Sequence, residues 1–352
     1  MITAPARVET PAGPSRSRSA SRRGRRVLGL LACLVGLVVV TLLSVAIGSR
    51  EVSLEEILRA FTDPSATGLA EEAVRARVPR TVLGLLVGAA LGLSGAIMQG
   101  VTRNPLADPG ILGVNTGASL FVVAGMAFFG MTTMTQYIWL ALAGAAAAAV
   151  FVYTVGSMGR GGATPLKLAL AGAATTAALS SLISAIVLPR VDALQVFRFW
   201  QIGGIGGASF ETMATVAPFL AVGAALSLLS ARSLDALALG DDLATGLGGR
   251  IKTARAVAAL GGVLLCGAAT AIAGPIGFIG LVVPHVARIV TGSDYRWILP
   301  YSVGFGAFLL LLADVVGRVV TRPSDVEVGI ITAIIGAPVF IAVVRRTKIK
   351  EL

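Results

Sequence analysis

Charge is scarce in this 352-residue chain: Asp, Glu, Lys and Arg together make up 13% of it, against 55% hydrophobic residues. A soluble domain carries about twice that charged fraction. The composition therefore excludes an ordinary water-soluble protein and, with a mean hydropathy of +0.86, points to an integral membrane protein. Histidine occurs once, at His285, and cysteine twice, at Cys33 and Cys266. Both cysteines sit inside apolar runs with no metal-ligand spacing, so they read as packed thiols; neither a metal nor a cofactor is expected. The apolar runs have helical length and little period-two alternation, which argues against a membrane barrel. No Asp or Glu lies deep within a proposed crossing, where proton-coupled carriers usually keep one. Lys252-Thr253 is preceded by Ile251 rather than glycine, so no phosphate loop is present. The chain is not expected to be an enzyme, and any ATP hydrolysis must come from another subunit.

What the chain does have is glycine, 43 residues, and a net charge of +11. Glycine is expected where helices pack closely in lipid. The positive charge is not spread as a nucleic-acid surface would be: seven arginines precede residue 27 and most others stand at the ends of apolar runs. Those runs are Val27–Gly48, Thr81–Val101, Ile111–Met131, Tyr137–Met158, Leu168–Leu188, Thr212–Ser230, Ala256–Ala273, Ile276–Ala287, Trp297–Ala313 and Val328–Val344. A crossing takes roughly 20 residues, so they make about ten transmembrane helices, with Ile276–Ala287 short by itself. Alternating them with the N-terminus inside leaves 20 Lys and Arg on the inner side and 9 on the outer. By the positive-inside rule both termini are then cytoplasmic. Residues 1–26, rich in Pro, Ser, Ala and Arg, read as a disordered basic tail, residues 27–345 as the membrane domain and 346–352 as a second cytoplasmic tail. Arg22-Arg23 before an apolar run could pass for a twin-arginine signal, but the run is long for one and no A-x-A site follows.

The most informative stretch begins at Arg77: RVPRTVLGLLVGAALGLSGAIMQGVTRNPLADPGILGVNTGAS. Arg77 and Arg80 flank Pro79 beside an uncharged run. Gly84, Gly88, Gly92 and Gly95 fall on one helical face, where another backbone can approach. Asn104-Pro105 and Asp108-Pro109-Gly110 then break the helix. Further words are LALGDDLATGLGGR, GPIGFIGLVVPHVAR and DVVGRVVTRPSDVEVGIITAIIGAPVFI. Together, from about Arg77 to the end, they resemble the FecCD-type permease subunits of ATP-driven importers for ferric siderophores, haem and cobalamin.

The resemblance implies an all-α membrane protein of type II ABC importer permease architecture, with a short extracytoplasmic half-helix. It would work as a dimer, with cytoplasmic ATPase subunits and an extracytoplasmic substrate-binding protein, in a bacterial plasma membrane. Ferric siderophore is the expected cargo, with haem or cobalamin as the alternative, moved by alternating access. Arg77, Arg80 and Arg318 match the family's docking arginines for acidic residues of the binding protein, although interfacial snorkelling or an Asp314–Arg318 helical pair would also explain them. Leu239, Gly240, Asp241, Asp242, Leu243, Ala244 and Gly246 match the coupling segment that meets the ATPase. A capped surface helix is the plainer reading of that segment.

In the fifth run Gly172, Thr176, Ser180 and Ser184 recur every four residues. They serve either helix packing or a smooth path that holds cargo weakly. The resemblance favours the path, with Thr332 and Gly336 of the last run on it too. Phe197, Phe199 and Trp200, on a short segment from Ala193 to Ile202, match the family's gating helix; an interfacial aromatic belt would also account for them. A remote alternative is an intramembrane serine protease using Ser94 and His285, which would have to lie within hydrogen-bond reach.

Overall fold

The computed structural model describes residues 16–159, 164–240, 243, 246 and 251–346. Among the described residues there are thirteen α-helices, one 3-10 turn and no strand. They are α1 (Arg16–Ala46), α2 (Leu54–Thr62), α3 (Leu69–Thr102), a 3-10 turn (Pro109–Leu112), α4 (Val114–Phe129), α5 (Met134–Ser157), α6 (Pro165–Val187), α7 (Val191–Ile202), α8 (Phe210–Leu229), α9 (Ala231–Ala238), α10 (Ile251–Ala273), α11 (Ile279–Thr291), α12 (Tyr295–Val320) and α13 (Val328–Arg346). Seven helices are long and apolar enough to cross a bilayer, and three shorter apolar ones, within α4, α11 and α13, complete the ten runs read from the sequence. The all-helical membrane architecture is as the sequence indicates, and α7 supplies the short half-helix.

Two boundaries differ from expectation. Helix α1 starts at Arg16 rather than near Val27, so the part of the basic tail from residue 16 onward is helical. A run of apolar helix nucleates it, and each further residue then adds a hydrogen bond at little cost. Residues 1–15 and 347–352 lie outside the described residues. Helix α3 starts at Leu69 and runs for 34 residues straight through Pro79. At 1.5 Å per residue it is about 50 Å long, against roughly 30 Å of hydrocarbon. Arg75, Arg77 and Arg80 are therefore inside the helix, on the part that projects beyond the apolar layer.

The core is built on α3 and α10, whose apolar windows are 78% and 67% buried, while that of α1 is 11% buried and lies at the rim. The glycine face of α3 explains this. A side-chain carbon at Gly88 would collide with the carbonyl oxygen of Gly306 on α12, and one at Gly95 with that of Gly280 on α11. Only glycine lets these backbones touch, and in lipid such close packing replaces the hydrophobic effect as the force between helices.

Helices α4 and α11 are too short to cross alone: 16 and 13 residues give about 24 and 20 Å. Irregular backbone before each makes up the length, and its deeper part, with Ala107, Pro109, Gly274 and Ile276 buried, is tolerated because it packs against protein. Asp108 accepts from the Gly110 amide at 2.8 Å. Pro284, inside α11, has no N–H for the carbonyl of Gly280 four residues earlier. The Gln99 amide of α3 fills that vacancy, donating to the carbonyls of Gly280 at 3.3 Å and Leu281 at 3.2 Å, while Arg288 Nη1 holds its oxygen. A carbon added at Gly280 would lie 3.2 Å from Asp108 Oδ2 and 3.3 Å from the Leu91 carbonyl. The loop after α3 thus folds back to the level of Leu91, about 16 Å from the end of that helix, and carries Asp108 with it. Hydropathy had placed no carboxylate at such depth.

Candidate functional sites

The arginines expected to dock a binding protein, Arg77, Arg80 and Arg318, gather in one largely buried cluster. Arg77 is 6% exposed and Arg318 2%. Arg77 donates to the carbonyls of Val45 at 3.2 Å, Ala46 at 2.8 Å and Arg50 at 2.8 Å. Arg318 donates through Nη1 to the carbonyls of Ser44 and Ile47, both at 2.9 Å, and through Nη2 to Ser44 Oγ at 2.9 Å. The last carbonyls of a helix have no intrahelical donors; here two guanidiniums supply them for α1. Arg80 bonds Asp314 Oδ1 through Nε at 3.0 Å and Nη2 at 2.8 Å, and Asp325 Oδ2 through Nη1 at 2.7 Å. Arg318 Nη2 also lies 2.7 Å from Asp314 Oδ2, close enough for an ion pair though not aligned as a hydrogen bond. The helical pair Asp314–Arg318 is therefore real, and it is one side of a larger network. These arginines clamp the end of α1 to α3, α12 and the loop before α13. Charge reversal at Arg77 or Arg318 would therefore damage that corner, whatever part the two arginines take in docking.

The gate segment is tied into the same end. The Gly204 amide donates to the Ala273 carbonyl at 2.8 Å, and the Gly329 amide to the Gly203 carbonyl at 3.0 Å, so the turn after α7 is laced to the ends of α10 and α13. Phe197 is 2% exposed and packs with Val123, Ile183 and Val187. It stacks on Trp200 with centroids 6.1 Å apart. Phe197 therefore anchors α7 within this chain; Phe199, 73% exposed, is the aromatic left free. Glu327 lies against Gly204, and burial pushes its carboxyl above the usual range, partly offset by Arg80. An acid with a raised folded pKa weighs against stability once pH rises through that pKa. Glu327→Gln is therefore expected to raise the unfolding temperature at pH 8, with the gain shrinking towards pH 5; a gain independent of pH would refute this.

The serine stripe of α6 is split. Gly172 is buried, and a carbon there would meet the carbonyl of Ile111. Thr176 is half-buried, and Ser180 and Ser184 are exposed among small neighbours. Thr332 and Gly336 were expected on the same path but are buried on the inner side of α13, where they help line an apolar groove of about 630 Å³ between α1, α11, α12 and α13. Gly336 meets the side chain of Phe278. Gly172 and Gly336 make close contacts within this chain and Thr332 faces the groove, a distinction spacing alone does not make.

At the opposite end α9 is held by Leu234 and Leu237, both buried, and by Asp235, which accepts from the Tyr295 amide at 2.8 Å. The segment beyond it opens outward: Leu239 and Leu243 are exposed, and nothing stands within 4 Å of a carbon added at Gly240 or Gly246. Asp241, Asp242 and Ala244 lie outside the described residues. Ser94 is fully buried and donates to the Gly262 carbonyl at 2.6 Å; no hydrogen bond joins it to His285 among the described residues, and nothing supports the protease alternative. No group of three or more possible metal ligands is found among the described residues.

Comparison with known proteins agrees with this architecture. Residues 36–346 match the FecCD transport family, and the chain belongs to that family of membrane permeases. It is 43% identical over 321 residues to the ferric enterobactin transport system permease protein FepD of Escherichia coli K12, covering 91% of this chain and 96% of that protein. It is 35% identical to the hemin transport system permease protein HmuU of Yersinia pestis, covering 92% and 96% respectively. Among solved structures, a transporter assigned to the metal-chelate ABC type, in an inward-facing conformation, superposes with a TM-score of 0.76 at 27% identity, covering 90% of this chain and 98% of that one.

Proposed function

We propose that this chain is the membrane-spanning half of an ATP-driven importer for an iron chelate, with ferric siderophore as cargo. The observation that carries this is the family match along nearly the whole chain, with relatives named for ferric enterobactin, iron(3+)-hydroxamate and Fe(3+)-citrate. Haem stays as the alternative through the hemin permease relative. Co-purification with ATPase and binding-protein partners, followed by uptake of labelled ferric siderophore, haem and cobalamin into proteoliposomes, tests it. Siderophore uptake that needs ATP and binding protein is expected; uptake driven by an ion gradient alone would end the reading.

Within it, both termini are cytoplasmic and two copies, or a copy and a paralogue, enclose the path. The exposed face of α6 with Thr176, Ser180 and Ser184 lines that path, and Phe199 is its aromatic gate. Of the three arginines, Arg80 keeps the docking role: its partner Asp325 is partly exposed on a loop, so an incoming carboxylate can exchange with it. Leu239, Gly240, Asp241, Asp242, Leu243, Ala244 and Gly246 form the ATPase contact. Its apolar side chains Leu239 and Leu243 are largely exposed, so substituting them removes little internal contact. Leu239→Asp with Leu243→Asp is expected to leave the unfolding temperature unchanged and to reduce ATPase co-purification and uptake at least ~10-fold, the scale of one lost buried anchor. Unchanged uptake would refute the assignment.

A further inference from the structure

Two grooves meet at the start of α12. One, about 640 Å³, lies between α1 and α12 and is lined by Arg23, Arg26, Leu30, Arg296, Trp297 and Pro300, with Asp294. The other, about 460 Å³, lies between α8, α9 and α12, with Leu228, Leu229, Arg232 and Leu299 on its walls. They share Arg296 and Pro300. Four arginines thus stand at one level, the ends of three membrane helices, above aliphatic walls that continue along those helices. Two carboxylates are near: Asp294, 3.3 Å from Arg26, and Asp235, whose carboxyl burial raises and Arg296 opposes. Arg23 and Arg232 have no ion-pair partner among the described residues. Trp297 lies beside them, with the Arg26 guanidinium 5.8 Å from its ring centroid; indoles favour the headgroup level of a bilayer.

We propose that this double groove binds an anionic phospholipid, its phosphate between Arg23, Arg26 and Arg296 and its acyl chains along Leu30 on one side and Leu228 and Leu229 on the other. The charge excess calls for an anion, guanidinium forks match phosphate oxygens, and basic pockets between membrane helices take such headgroups. The aliphatic walls below the arginines select a lipid over a soluble anion or an acidic protein surface, which would leave them uncovered. The bound lipid bridges α1, α12 and α9, and so ties the rim helix to the element leading into the ATPase-facing segment. The inference holds whatever the cargo.

The test is native mass spectrometry of the full chain, purified in detergent and stripped of lipid, titrated with phosphatidylglycerol and with phosphatidylcholine of the same acyl chains. Phosphatidylglycerol is expected to bind ~10-fold or more tightly, the worth of two arginines near a headgroup. Arg23→Gln with Arg296→Gln should erase the preference, and Arg232→Gln alone should reduce it. Arg50→Gln with Arg59→Gln, at the other end of the molecule, should leave it intact. Equal binding of the two lipids by the unaltered chain overturns the proposal, as does displacement by an equal concentration of inorganic phosphate. So does an Arg23→Gln with Arg296→Gln chain that keeps the preference but, in the co-purification experiment above, no longer retains the ATPase, which would make the patch a protein contact.

Discussion

An Asp314→Ala chain is expected to lose about 3–5 kcal/mol of stability, the scale for removing one member of a buried ion network. Asp314 is 0% exposed and stands between Arg80 and Arg318. Without it two guanidiniums face each other in a nearly dry corner, with only Asp325 left to Arg80. The damage should spread, because Arg318 also holds the carbonyls of Ser44 and Ile47. Arg322→Gln is the comparison. It breaks a bridge at the same end, but Glu51 on the other side of that bridge is 87% exposed, and exposed pairs contribute about 0–1 kcal/mol. Chemical unfolding in detergent distinguishes the two. A loss under 1 kcal/mol at Asp314, or equal losses at both sites, would remove the cluster from its structural role and return Arg77 and Arg318 to the docking surface.

The second large effect is steric. Gly95→Ala places a methyl group against the Gly280 carbonyl, backbone against backbone, with no flexible side chain to yield. Overpacking of this kind costs about 1–3 kcal/mol or more. It also pushes α11 off α3 at the point where Gln99 completes the hydrogen bonds around Pro284. Gly277→Ala, a short distance along the same segment, meets nothing within 4 Å and should be silent. Yield in the membrane fraction and unfolding temperature report both. If the two alanine variants behave alike, the close contact between α3 and α11 is not as described, and the hinge-like break before α11 loses its anchor.

Much of this was open to reading in one dimension. Ten apolar runs, a face of glycines, a pair of helix-breaking prolines and a run of small hydroxyls are local patterns, and hydropathy and periodicity detect them directly. The same local rules misjudge residues whose environment is set by distant chain. Arg77 reads as an exposed charge beside a proline because nothing near it in sequence could occupy it; its partners are the carbonyls of Val45 and Ala46 at the end of α1 and of Arg50 in the segment after it. Thr332 and Gly336 share a period with path positions, but a period fixes a face, not which neighbour that face meets. Asp108 escaped notice at depth because it is on a loop, and hydropathy follows helices and not a chain that turns back into the layer.

Composition by itself determined that this protein lives in lipid, that it is helical, and that it carries neither a phosphate loop nor a metal-ligand pattern, since each follows from residue type and short-range spacing. Tertiary structure alone decided which charges are free. A guanidinium's role depends on whether a carboxylate or an orphan carbonyl reaches it first, and those partners arrive from helices up to 274 residues away.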